Sequence, residues 1–356
     1  MVTTVLLIHG MGTHTDVSIK SEFCSGLNQC AKFLDIEDYE AENEFNFRFF
    51  NYSADWDEKR QQFSNYLEDD LIQLLGLAPS LVSDLFEAIN EFDEDDFFYT
   101  HVLDVLFYLT SVLRAKAVGN LHQKLAEVMM EVINDIGTDH KLIVVAHSLG
   151  TAFIHDCLTQ LYPNHLDPEH FALEQLWSVA TVSRMTQLIT GLDDPNHSVV
   201  TSHTPTSYNA CKEFFAVFNE FDPFCVFKRY DREPYNGEVY RTTEVRNLQH
   251  IYGDDSEMFF NPHDLREYFA DPKVGAKFLN NSGYGFTLAE VNEARTKHKA
   301  TSVTGAITNA HEEIIDKLKE LDNSDANSLT EKFVNILEAL ELIAKARKEL
   351  EAGGVL

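Results

Sequence analysis

The 356 residues carry 28 basic against 58 acidic side chains, a formal charge of −30, and 44% of them are hydrophobic while 24% are charged. That balance excludes a disordered polymer, a collagen-like repeat and a small disulfide scaffold. It also argues against nucleic acid as a partner, because a field of this sign repels a polyphosphate. The same field opposes adsorption to anionic lipid, yet a local apolar face could still meet neutral lipid, so peripheral membrane contact stays open.

The five cysteines, Cys24, Cys30, Cys157, Cys211 and Cys225, are odd in number and form no CxxC pair. They read as reduced thiols rather than a disulfide framework or a zinc ribbon. Met1 to Ile8 has no basic residue and stops at His9-Gly10, unlike a signal peptide. No run of about 18 apolar residues suggests a spanning helix. The expectation is a cytoplasmic protein.

In chain order, Val5-Leu6-Leu7-Ile8 reads as a strand buried on both faces of a parallel sheet, closed by His9-Gly10-Met11-Gly12. A helix is expected over Val17 to Phe33, and Phe45, Phe47 and Phe49 alternate with polar residues as in a second strand. Lys141-Leu-Ile-Val-Val-Ala146 is the strongest strand signal and turns at His147-Ser148-Leu149-Gly150 into a helix reaching about Tyr162. Leu176 to Val182, Phe214 to Phe218 and Val245 to Ile251 supply three more strands. The fold class expected is α/β, about six mostly parallel strands flanked by helices.

Two regions exceed what such a core needs. Between the second and third strands the chain is far longer than the dozen or so residues a crossover requires. Residues 57–118 are expected to be a helical insertion, followed by a crossover helix at Asn120 to Ile136. Leu71, Leu74, Leu75, Leu81, Leu85, Ile89, Val102, Val105, Leu106, Leu109 and Leu113 make the insertion amphipathic, which fits a cap lining an acyl pocket as well as ordinary core. The second excess is residues 287–356, where Thr287-Leu-Ala-Glu290 and Ser328-Leu-Thr-Glu331 match the capping box. A helical hairpin tail is expected, its face of Phe333, Ile336, Leu337, Leu340, Ile343 and Ala344 covered by the chain's own domain, by a second copy or by a partner.

Ala146-His147-Ser148-Leu149-Gly150 has the form of the nucleophile elbow GxSxG with alanine for the first glycine. The serine of such an elbow sits on a tight turn where strand and helix pass closely, so the flanking positions must be small. The bland reading is a serine that caps a helix. Three other features fit acyl transfer. His9-Gly10-Met11-Gly12 can present backbone N–H groups to an oxyanion, with Met11 and Leu149 as donors. Asp222, in Asn219-Glu-Phe-Asp222-Pro223 after the fifth strand, offers a carboxylate at the carboxyl end of the sheet. Its bland reading is a turn-forming Asp-Pro, and Asp193 and Asp194 compete for the role. His263, after Asn261-Pro262, lies in a loop before a helical segment and is the candidate base. His250 competes from within a strand pattern, and His147 reads as packing. Asp93-Glu-Asp-Asp96 lacks the spacing of a calcium loop, and His9 with His14 lacks further zinc ligands, so no metal or cofactor is expected.

The order Ser148, Asp222, His263 is the nucleophile, acid and base order of the α/β-hydrolase fold. On these residues the chain resembles the lipase-like serine esterases of that superfamily over about residues 2–275. The resemblance implies a hydrolase domain at residues 1–286 with the 57–118 cap, Ser148 as nucleophile, Asp222 and His263 as its partners, and Met11 and Leu149 as oxyanion donors. It departs at Ala146, at the insertion and at the 287–356 extension. The function it implies is hydrolysis of an apolar, lipid-like carboxylic ester. The alternative is an effector that uses the fold as a scaffold and binds a partner through cap and tail.

Overall fold

The computed structural model of the chain describes residues 3–10, 12, 14–53, 71–73, 79–80, 82–83, 103–110, 118–137, 141–161, 173–190, 210–219, 222–230, 240–245, 263–300, 309–322, 326 and 328–352. Six strands, β1 (Thr3–Ile8), β2 (Phe45–Phe50), β3 (Lys141–His147), β4 (Leu173–Val179), β5 (Cys211–Asn219) and β6 (Tyr240–Val245), form one sheet in the order β2-β1-β3-β4-β5-β6. Every neighbouring pair is parallel.

Because side chains alternate along a strand, a sheet covered on both faces needs apolar residues at every position, which is why β1 and β3 read as unbroken aliphatic runs. Leu6, Ile8, Val144, Ala146, Leu176 and Phe214 enter the core on one face. Val5, Leu7, Ile143, Val145, Trp177 and Phe215 enter the core on the other, where Trp177 and Phe215 stack at 4.0 Å between ring centroids.

The chain runs from β1 outward to β2 and then returns to the other side of β1 for β3. That reversal makes the carboxyl ends of β1 and β3 the topological switch point of the sheet, where crevices form in open α/β sheets. The helices that matter for this edge are α1 (Asp16–Phe33), α2 (Val118–Ile136), α3 (Leu149–Leu161), α4 (Ser183–Thr190), the short α5 (Pro223–Val226), α6 (Leu265–Ala270) and α7 (Pro272–Leu279). Helix α1 starts on a capping box formed by Thr15 and Ser18 and packs against α6 and α7.

Two strands differ in extent from the sequence expectation. The fourth covers Leu173–Val179 rather than Leu176 to Val182. It stops because Ala180 takes a left-handed φ of 50° and the Thr181 and Ser183 hydroxyls bond to each other at the start of α4. The sixth described strand is Tyr240–Val245, and residues 246–251 of the expected Val245 to Ile251 lie outside the described residues. Among the described residues it pairs with β5 alone.

Within the insertion, residues 71–73, 79–80, 82–83 and 103–110 are helical. Leu71, Val82, Leu103, Val105, Leu106 and Leu109 are buried in the same core as β1 and β3. Residues 93–96 lie outside the described residues, as do Asp193, Asp194 and His250.

The C-terminal region holds three described helices, α8 (Leu288–Lys299), α9 (Asn309–Asp322) and α10 (Leu329–Ala352), rather than one hairpin. Both expected capping boxes form: Thr287 with Glu290, and Ser328 with Glu331 through bonds of 2.8 and 3.1 Å. Helix α8 packs on α1 and α7, while α9 and α10 pair with each other and lie on α4 and α5. Phe333, Ile336, Leu337, Leu340, Ile343 and Ala344 are all buried in the main core, so the chain itself covers this face. Lys228 fixes the pair to the domain, its ammonium 3.3 Å from the Asp322 carboxylate. Among the described residues, no helix is long and apolar enough to cross a membrane. All five cysteines are buried free thiols.

Candidate active site

Ser148 lies between β3 and α3 with φ at 52°. A left-handed backbone costs a non-glycine residue about 1–2 kcal/mol, so the surroundings must hold it. They do so from two sides: the Ser148 N–H donates to the Val179 carbonyl at 2.9 Å, and the Ser148 carbonyl accepts from Thr151 N–H at 2.9 Å. Two residues on, a Cβ added to Gly150 would stand 2.4 Å from the His9 carbonyl oxygen and 2.9 Å from that of Ile8. Only glycine fits there. Two residues before the serine, Ala146 is fully buried and pairs in register between Ile8 and Ser178, so a methyl group is accommodated where the elbow pattern has glycine.

The structure brings the three candidate catalytic side chains together across long stretches of sequence. The Ser148 hydroxyl meets His263 Nε2 at 2.7 Å, and His263 Nδ1 meets Asp222 Oδ2 at 2.7 Å. In the arrangement that satisfies both contacts, Nδ1–H donates to the carboxylate and Nε2 accepts from the serine. Asp222 is also the N-cap of α5, its Oδ1 accepting from Phe224 N–H at 3.0 Å. One carboxylate oxygen of Asp222 thus caps the turn while the other meets His263.

The triad is enclosed. Ser148 and Asp222 are 0% exposed and His263 is 2% exposed.

His147 does more than fill space. Its Nε2 donates to the His263 carbonyl at 2.7 Å, so the end of β3 is tied to the segment that carries the candidate base. Burial, followed by the neighbouring His263, holds the His147 imidazole well below its ordinary range and keeps it neutral.

The loop after β1 is organised around His9. Its Nδ1–H donates to the Gly10 carbonyl at 2.7 Å, and its Nε2 accepts from Tyr52 N–H at 3.1 Å. The Tyr52 hydroxyl donates to the Gly10 carbonyl at 2.7 Å, and the Tyr52 ring stacks on His9 at 3.9 Å. Burial, with help from His14, lowers the His9 pKa to about 3, as its two neutral hydrogen-bonding roles require. Gly12 needs its glycine, with φ at 83°, and its N–H donates to Asp104 Oδ2 at 2.7 Å. Of the two expected oxyanion donors, Met11 lies outside the described residues, while Leu149 opens α3 directly behind the serine.

Three potential metal-ligand types converge among the described residues, Asp222, Cys225 and His263. Oδ2 lies 2.7 Å from Nδ1 and 3.0 Å from the Cys225 Sγ. Donor atoms around a zinc ion with bonds of about 2.0–2.3 Å stand roughly 3.3 Å or more apart. The cluster is therefore a hydrogen-bonded one.

Sequence reasoning did not find Tyr268, Cys225, Tyr52 or Asp104. Tyr268 donates to Asp222 Oδ2 at 2.8 Å, and Cys225 donates to the same oxygen. A tyrosine and a cysteine in apolar segments look like core; only their burial against a carboxylate distinguishes them. Comparison with protein-family models, with curated proteins and with solved structures returned no match, so any functional reading rests on this chain's own residues and their geometry.

Proposed function

We propose that the chain is a serine hydrolase with an α/β-hydrolase fold that cleaves a carboxylic ester through an acyl-enzyme. The observation that carries this reading is the continuous relay of two 2.7 Å contacts, Ser148 to His263 to Asp222, at the switch point of a parallel sheet. Helix-capping or packing roles for these residues would not require all three to converge. The left-handed φ of Ser148 adds support, since strain of that kind persists where the surroundings over-determine it and clusters at functional sites.

In this mechanism His263 accepts the Ser148 proton as Oγ attacks the acyl carbonyl. Asp222 orients the imidazole and stabilises its cation. The tetrahedral oxyanion takes hydrogen bonds from Leu149 N–H and from the loop after β1, each donor contributing about 3–4 kcal/mol to transition-state stabilisation. His263 returns the proton to the leaving alcohol, and water repeats the sequence to release the acid.

The preference for an apolar acyl group rests on the amphipathic insertion, which packs against the helix that follows Ser148. Phe153, on α3, lies 4.5 Å from the Tyr52 ring and 5.0 Å from the Tyr108 ring of the insertion. Rates on p-nitrophenyl esters should rise with acyl length, and equal rates on short and long chains would count against that part of the proposal.

The full enclosure of Ser148 is the observation that favours a scaffold instead. A fluorophosphonate probe separates the two. Labelling that disappears in Ser148→Ala supports the hydrolase, whereas folded wild type that stays unlabelled supports the scaffold.

A further inference from the structure

The Asp222 carboxylate is more heavily bonded than a triad needs. Oδ2 alone receives His263 Nδ1–H at 2.7 Å, the Tyr268 hydroxyl at 2.8 Å and the Cys225 thiol at 3.0 Å. The direction of the Tyr268 bond is fixed from behind: its oxygen accepts Asn219 N–H at 3.1 Å, which leaves the hydroxyl proton for the carboxylate. Both donors are almost wholly buried. Burial, reinforced by the Asp222 charge, pushes the Tyr268 phenol and the Cys225 thiol well above their ordinary ranges, so each keeps its proton at any working pH.

Resting on the hydrolase reading, we propose that Tyr268 and Cys225 are positioning residues of the triad, whose shared donation to Asp222 Oδ2 holds the carboxylate in register with His263 and tempers its pull on the imidazole. An oxygen shared among three donors is a weaker acceptor for any one of them. Without the Tyr268 hydroxyl, Oδ2 accepts more strongly from His263 and favours the imidazolium, which cannot act as the base. Tyr268 sits on α6, five residues after His263, and Cys225 sits on the turn that Asp222 caps. The acid, the base and both added donors therefore belong to two short segments tied to each other by these hydrogen bonds.

Other groups bear on the base. From β3, His147 bonds the His263 carbonyl; from the first loop, the His9 and His14 rings lie 5.2 Å apart and tilted at 38° to each other. On the His263 segment, Arg266 pairs with Asp264 at 3.1 Å and lies 3.8 Å from Glu267. Replacing Tyr268 or Cys225 alters none of these groups.

The test is the rate of fluorophosphonate capture by the full chain as a function of pH, for wild type, Tyr268→Phe, Cys225→Ala and Cys225→Ser. Tyr268→Phe should still label, with its acid limb moved to higher pH by roughly half a unit or more. Cys225→Ala should move in the same direction, while Cys225→Ser, which keeps a hydroxyl donor, should track wild type. If Tyr268→Phe fails to fold, the Cys225 pair decides alone. Variant profiles that superimpose on wild type, or move to lower pH, overturn the positioning roles and leave the hydrolase reading intact. Wild type that is not captured at Ser148 overturns both.

Discussion

Gly10 and Ser148 touch so closely that a Cβ added to Gly10 would stand 2.6 Å from the Ser148 Cβ. The loop after β1 and the turn at Ser148 are thus one packed unit, and the two glycines beside it have separable consequences. Gly10→Ala presses on the Ser148 side chain itself and should slow probe capture by about a hundredfold if it displaces the hydroxyl toward 1 Å. Gly150→Ala meets backbone carbonyls of the first strand segment and should instead lower stability, by about 1–3 kcal/mol in urea unfolding.

Ser148→Gly should unfold at a higher denaturant concentration than Ser148→Ala. Glycine relieves the left-handed backbone that alanine retains, a difference of about 1 kcal/mol. Equal midpoints would show that the elbow stores no strain.

His9 gives the fold a dependence on acid. Its pKa is lowered from 6.5 to about 3 in the folded chain, so the unfolded chain binds this proton first. The stabilisation is complete above pH 6.5 and is lost as pH falls from there toward about 3. The unfolding free energy should therefore fall more steeply with acid in wild type than in His9→Asn, by up to one proton, or about 1.4 kcal/mol per pH unit.

Asp104 belongs to the insertion yet accepts the Gly12 N–H at 2.7 Å while 1% exposed. Asp104→Ala removes a buried charge-assisted bond to the loop and should cost about 1–3 kcal/mol in thermal or urea unfolding. No change in stability would mean that the loop stands without the insertion.

Leu340, in the C-terminal helix α10, is fully buried in the core shared with the sheet. Leu340→Ala should cost about 2–5 kcal/mol, and the loss should appear in the single unfolding transition of the whole domain. A separate low-temperature transition would instead mark the C-terminal helices as an independent unit.

Much of this was readable in the linear chain because its causes are local. Val5 to Ile8 and Lys141 to Ala146 are aliphatic at every position, and only a strand covered on both faces asks for that. Thr287 with Glu290 and Ser328 with Glu331 announce helix starts through bonds made within four residues. The spacing around Ser148 marks a turn where a small residue must pass a neighbouring strand, and a Cβ added to Gly150 would stand 2.4 Å from the His9 carbonyl oxygen, which is that requirement met.

What the linear chain could not decide depends on partners far away along it. Thr181 and Val182 look like strand continuation until the left-handed Ala180 ends the pairing, and β6 is set by its register against β5 rather than by its own composition. Tyr268 and Cys225 carry no signal of their own, because a buried phenol or thiol is ordinary core until a carboxylate is folded against it. Residue types and spacing determined the sheet, the elbow and the candidate triad. Only tertiary structure decided that one Asp222 oxygen serves three donors, since hydrogen bonding in a water-excluded interior is fixed by which groups the fold leaves within 3 Å of one another.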